Sequence, residues 1–128
     1  MLFKPMKMFS RYKKYWGKTL DVSIAVDELE RYLSWRIPNP SNEDIAEALK
    51  IIEKGDIWSF VILSKPQDGH YIQTDVFALE YRNGSDDEHY FCPAEYLTSK
   101  LVLDAFLSYA EEGSWWQEQV TWKKGYGI

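Results

Sequence analysis

Apolar residues at Ile45, Ala48, Leu49 and Ile52 recur at helical spacing and predict an amphipathic helix over 43–54. Ser41 or Asn42 can cap its start, with Asp44 three residues after Ser41 in the capping-box place, and Gly55 stands at C′. A second face is drawn by Leu101, Val102, Ala105, Phe106 and Tyr109, opened by Thr98 and ended by Gly113. Between the two helices the period shortens. The run Trp58, Phe60, Val61, Ile62 and Leu63 suits a central strand, and the residues Lys65, Pro66, Gln67, Asp68 and Gly69 close it with a turn. Strand material follows over 71–74 and 76–82, either as one long strand or as two with a bend near Asp75. Asn83-Gly84 with Ser85 and the acids Asp86, Asp87 and Glu88 reads as a hairpin connection, and His89-Tyr90-Phe91-Cys92 as the returning strand.

Two stretches are less regular. Leu20, Val22, Ile24 and Val26 alternate like a strand, whereas Val26, Leu29, Tyr32 and Leu33 keep helical spacing, so a short strand running into one or two helical turns is expected before Pro38-Asn39-Pro40 breaks the chain. Trp115 to Trp122 has the residue types of a strand, and 123–127 reads as a loose terminus. The sum is an α+β fold, an antiparallel sheet with two or three helices packed on one face.

Length and charge add a division into two parts. With 128 residues, 45% of them hydrophobic, the chain suits one core. Residues 1–18 hold six of the fifteen basic residues and none of the twenty acidic ones, which leaves nine basic residues against twenty acidic in 19–128, a net −11. Residues 1–18 therefore read as a basic aromatic arm and 19–128 as a single domain. An arm in which Arg11, Lys13 and Lys14 stand among Phe9, Tyr12, Tyr15 and Trp16 could track a nucleic-acid backbone, but docking on the acidic body of its own chain is the simpler account, and no direct nucleic-acid binding is expected. A lone cysteine, Cys92, allows no internal disulfide and fits a reducing compartment. Without a secretion-type apolar run or a membrane-length one, the expected location is cytoplasmic.

Catalytic chemistry finds little support. His89 stands three residues from Cys92 in one strand, so the two side chains point to opposite faces, and Cys92 reads as a small buried apolar residue. His70, His89, Asp68, Asp86, Asp87 and Glu88 follow no metal-site spacing, and they read as solvated turn residues; neither a metal nor a cofactor is expected. Glu80 and Arg82 share a strand face and suit a structural salt bridge better than a perturbed acid. Binding features are more evident. Asp86, Asp87 and Glu88 at a hairpin tip, Glu111 and Glu112 at a helix end, and the adjacent Trp115 and Trp116 place acids beside large aromatic anchors, the residue types in which interfaces concentrate energy.

The order of motifs also carries a likeness. Asn39-Pro40-Ser41 opening a helix, Phe60-Val61-Ile62-Leu63, Gly69-His70-Tyr71-Ile72-Gln73, Leu79-Glu80-Tyr81-Arg82, His89-Tyr90, the helix ending Ala105-Phe106-Leu107-Ser108-Tyr109 and the closing Trp122 resemble small bacterial immunity proteins. More narrowly, they resemble the first-numbered immunity family, found beside polymorphic toxins with deaminase or nuclease domains, over about residues 38–123. The resemblance implies a protein, not an enzyme, that neutralises a cognate toxin domain by stoichiometric occlusion in the cytoplasm of the producing cell. Its acidic surface would suit a basic, nucleic-acid-acting toxin. A monomer or a homodimer is expected, with no membrane partner. The rival readings are a small hydrolase or isomerase using Glu80, Asp75 or His70 in a carboxylate-based pocket, and a general interaction or scaffold domain.

Overall fold

The computed structural model describes residues 13–25, 32–54, 59–75 and 78–126. Seven antiparallel strands form one sheet: β1 (Thr19–Ala25), β2 (Tyr32–Pro38), β3 (Phe60–Ser64), β4 (His70–Asp75), β5 (Leu79–Asn83), β6 (His89–Cys92) and β7 (Lys123–Lys124), in the order β2-β1-β3-β4-β5-β6-β7. Three helices complete the described fold: α1 (Asn42–Glu53), α2 (Ser99–Ala110) and α3 (Trp115–Gln119). Because β1 pairs with both β2 and β3, the chain leaves β2, crosses through α1 and re-enters on the other side of β1. From β3 to β6 it then runs as a meander. The fold is α+β.

Burial follows from side-chain alternation. Leu20 and Val22 stand opposite Leu63 and Val61, Leu63 opposite Ile72, and Ile72 opposite Tyr81, so one face of the sheet is apolar along its width. Ile45, Ala48, Leu49 and Ile52 of α1 and Ala105, Phe106 and Tyr109 of α2 cover that face. The expected helix over 43–54 is thus Asn42–Glu53, with a complete capping box: the Asp44 amide donates to Ser41 Oγ at 3.0 Å and the Ser41 amide to Asp44 Oδ2 at 2.8 Å. Gly55, expected at C′, lies outside the described residues. Since Ser41 is buried, Ser41→Ala leaves the Asp44 amide without its acceptor; we expect a loss of about 1 kcal/mol, read as a lower urea midpoint at unchanged slope.

Several expectations are corrected. Tyr32 and Leu33, expected in helical turns, belong to a strand that pairs with β1 along its whole length, from Ala25 opposite Tyr32 to Thr19 opposite Pro38. Val26 and Leu29 fall outside the described residues. Trp115 to Gln119 is a helix instead of a strand, with the Gln117 and Glu118 amides donating to the Ser114 carbonyl. The terminus is tied down over its described part: β7 pairs with β6, the Gly125 amide donates to the His89 carbonyl at 2.7 Å, and Tyr126 stacks on the His89 ring at 3.9 Å. Strand material over 71–82 is two strands in register, with Ile72 opposite Tyr81.

Candidate functional site

Topology gathers the predicted acids. β3 ends, β4 begins, β5 ends and β6 begins at the same end of the sheet, so the 65–69 turn and the 84–88 connection are neighbours. The Gly84 amide donates to the Gly69 carbonyl at 3.0 Å, and a Cβ on Gly69, whose φ is +77°, would lie 2.5 Å from the Gly84 oxygen. Only glycine allows that approach. Asp86, Asp87 and Glu88 follow as a single 3-10 turn with Asp86 and Asp87 exposed. Arg82 reaches Asp86 at 3.2 Å, so the ion pair expected between Glu80 and Arg82 is made by Asp86. Tyr90 Oη donates to Glu88 at 2.6 Å, and this bond, aided by burial, pushes the Tyr90 phenol up to about 12.

The end of α2 arrives at the same place. Its last turn is a Schellman motif, with the Gly113 amide donating to the Ser108 carbonyl and the Glu112 amide to that of Tyr109. The left-handed residue is Glu112, at φ +62°, although Gly113 is the residue expected to end this helix. Lys18 Nζ and Lys65 Nζ each reach a Glu112 carboxylate oxygen at 3.0 Å, and Lys65 also lies over the Tyr109 ring, 4.9 Å from its centroid. Burial pushes the Glu112 carboxyl up, but the hydrogen bonds and charges of both lysines together outweigh it and hold the group below its ordinary range. Tyr15, buried in the core, donates to Asn42 Oδ1 and, at 3.4 Å, to Glu111 Oε1. Burial first, and then Glu111, push its phenol up to about 12. Within the segment 13–18, which sequence assigns to the arm, Tyr15 and Lys18 are therefore built into the body.

The two adjacent tryptophans separate. Trp115 is half-exposed, whereas Trp116 is buried against Tyr81 (ring centroids 4.7 Å apart), Tyr109 (5.1 Å) and Trp122 (6.3 Å). Trp116, expected among the partner-binding residues, is thus a core residue. The sequence marks Trp16 only as part of a basic arm, yet at 76% it is the most exposed large apolar side chain described. A Cβ on the adjacent Gly17 would touch Pro66 at 3.4 Å, which places Trp16 beside the 65–69 turn. Its sequence signal is a large aromatic next to a glycine, Gly17, which takes φ +82° in the structure. Exposed acids and two tryptophans thus share one end of the sheet.

The other expected chemistry is dispersed. His89 Nδ1 donates to the Gly125 carbonyl at 2.9 Å, and Cys92 lies on the opposite sheet face with its thiol pushed up by burial. Among the described residues no group of three His, Cys, Asp or Glu could hold a metal ion. Asp75 and His70 stand at opposite ends of β4, about 16 Å apart at ~3.3 Å per residue. Glu80 points to the face away from the helices. Asp75 instead borders a cleft of about 330 Å³ at the far end of the sheet, lined also by Leu49, Ile52, Glu53, Leu97 and Val102. No helix among the described residues is long and apolar enough to cross a membrane. Compared with protein-family models, with curated proteins and with solved structures, the chain matches none.

Proposed function

We propose that this chain is an immunity protein that binds a cognate toxin domain and neutralises it by stoichiometric occlusion. The observation that carries the reading is the convergence of Asp86, Asp87, Glu88 and Glu111 with Trp16 and Trp115 at one end of a packed sheet. Carboxylates there would stand where the phosphates of a nucleic-acid substrate lie in a basic active site, and the tryptophans would supply apolar anchoring area. Glu112 contributes less to such a surface, because Lys18 and Lys65 already meet its charge. The motif order that resembles the first-numbered immunity family supports the same reading.

Co-expression with the toxin-like domain encoded beside it is expected to restore growth and to yield a co-purifying complex. The double change Asp86→Lys with Asp87→Lys should weaken that complex by about tenfold or more, some 1.4 kcal/mol, and make it less sensitive to salt. Glu95→Lys, the same charge change in the 3-10 turn Ala94–Tyr96 after the opposite end of β6, should leave affinity unchanged. Growth without physical association overturns the reading. One observation favours the enzymatic rival: the cleft beside Asp75 and Glu53 is large enough for a small ligand. Turnover lost on Asp75→Asn would support that rival.

A further inference from the structure

β2 forms one edge of the sheet, and no strand among the described residues pairs with its outer side. It is seven residues long and pairs with β1 in unbroken register, so no bulge twists the edge away. Leu33, Trp35 and Ile37 stand opposite Ile24, Val22 and Leu20 and therefore lie on the helix-side face. Leu33 is nevertheless 58% exposed and Trp35 37%. Long apolar edges are normally blunted by charges, prolines or bulges. Here the charge on β2 is Arg36, already held by Asp21 at 2.7 Å, and the proline is the last residue.

We propose that β2 pairs antiparallel with β2 of a second copy about a two-fold axis at Trp35, joining two sheets into one. A two-fold axis perpendicular to the sheet keeps each face on its own side, so residues that meet across the seam must be an even number apart. Trp35 is the midpoint of Tyr32–Pro38, and this centre alone uses the whole strand. It sets Trp35 against Trp35, Leu33 against Ile37 and Ser34 against Arg36. Apolar positions meet apolar ones and no like charges are opposed. A centre at Arg36 would instead face two guanidinium groups. Beside Trp35 a groove of about 160 Å³, bounded by Ile37, Asp44, Glu47, Ala48 and Ile51, has room for a side chain from the second copy.

A single-strand seam belongs to the small class of interfaces, below about 1,200 Å² in total, so the dimer is reversible and depends on concentration. Asp44 and Glu47 flank the groove and the chain carries a formal −5, so two copies repel and added salt tightens the dimer. A basic partner on the same edge would show the opposite sign. This proposal stands independently of toxin binding, because the acidic surface lies elsewhere on the molecule.

Sedimentation equilibrium of the full chain over a wide micromolar range tests it. Expected is a monomer–dimer equilibrium strengthened by salt, with a dissociation constant raised about tenfold or more by Trp35→Lys, which opposes two ammonium groups at the axis. Tyr96→Lys, at a more exposed aromatic away from the edge, should leave it unchanged. Under oxidation Trp35→Cys should cross-link two copies while Leu33→Cys does not, since only the residue on the axis meets itself. A chain that stays monomeric throughout, a dimer indifferent to Trp35→Lys, or one that loosens with salt overturns the proposal.

Discussion

Trp116→Ala is expected to cost about 3–5 kcal/mol of folding free energy, while Trp115→Ala, its neighbour in sequence, costs less than about 0.5 kcal/mol. The difference comes from what each ring touches. Trp116 is 6% exposed, with Tyr81 and Trp122 packed edge-on to one another and Tyr90 stacked on Tyr81 at 4.8 Å. Removing the indole leaves a void that surrounding rings cannot fill, because their own edges are held: Trp122 Nε1 donates to the Trp116 carbonyl at 2.8 Å and Tyr90 Oη to Glu88. With a total stability of about 5–15 kcal/mol for a domain, such a loss approaches the whole margin. Urea unfolding at neutral pH, with near-ultraviolet circular dichroism to report ring packing, measures both variants. A loss under 1 kcal/mol for Trp116→Ala would show that the aromatic cluster does not hold this corner together.

The second large effect is centred on Glu112. Lys18 keeps only 7% of its side-chain surface exposed, and Glu112 at 57% is far more open to water, so the value of a fully buried pair must be discounted. Glu112→Gln is expected to lose about 2 kcal/mol by leaving the Lys18 ammonium buried without its counter-charge. Glu112→Gly removes the same carboxylate but relieves a left-handed backbone, which costs a residue with a Cβ about 1 kcal/mol, so it should be more stable than Glu112→Gln by roughly that amount. The dependence on pH follows from the lowered carboxyl. A group more acidic when folded than when unfolded contributes its stability above the unfolded value, near 4.3 for a glutamate, and loses it as pH falls through the folded one. The parent chain should therefore lose stability faster than Glu112→Gln below about pH 4, and the gap between them should close. Urea titrations at neutral and acid pH decide the point: a gap that stays constant would remove the ion pairs as its cause.

Legibility varied with the range of the interaction. α1 and α2 are visible because a 3.6-residue period and a Ser or Thr cap are local signals, and β3 and β6 because turn residues such as Lys65 to Gly69 and Asn83-Gly84 bound them, whereas periodicity leaves open whether 71–82 is one strand or two. β2 was harder. Leu33, Trp35 and Ile37 do alternate with Ser34 and Arg36, but Leu29, Tyr32 and Leu33 offer a competing helical spacing, and only pairing with β1 resolves it. Trp115 to Gln119 carries β-forming residues, yet it coils because a helical turn aims Trp116 at Tyr81 and Tyr109. For the candidate surface, the acid runs and Trp115 are readable one by one. That they meet, that Trp16 joins them and that Trp116 turns inward depends on which strand ends the topology brings together.

The amino-acid sequence by itself determined an acidic α+β domain with two amphipathic helices and an antiparallel sheet, since composition and periodicity act over a few residues. Tertiary structure decided the rest: the partner of Arg82, the left-handed Glu112 between two lysines, and the seven-residue edge with Trp35 at its centre. Each of these depends on residues far apart in the chain, whose contact free energy exists only after the sheet has closed.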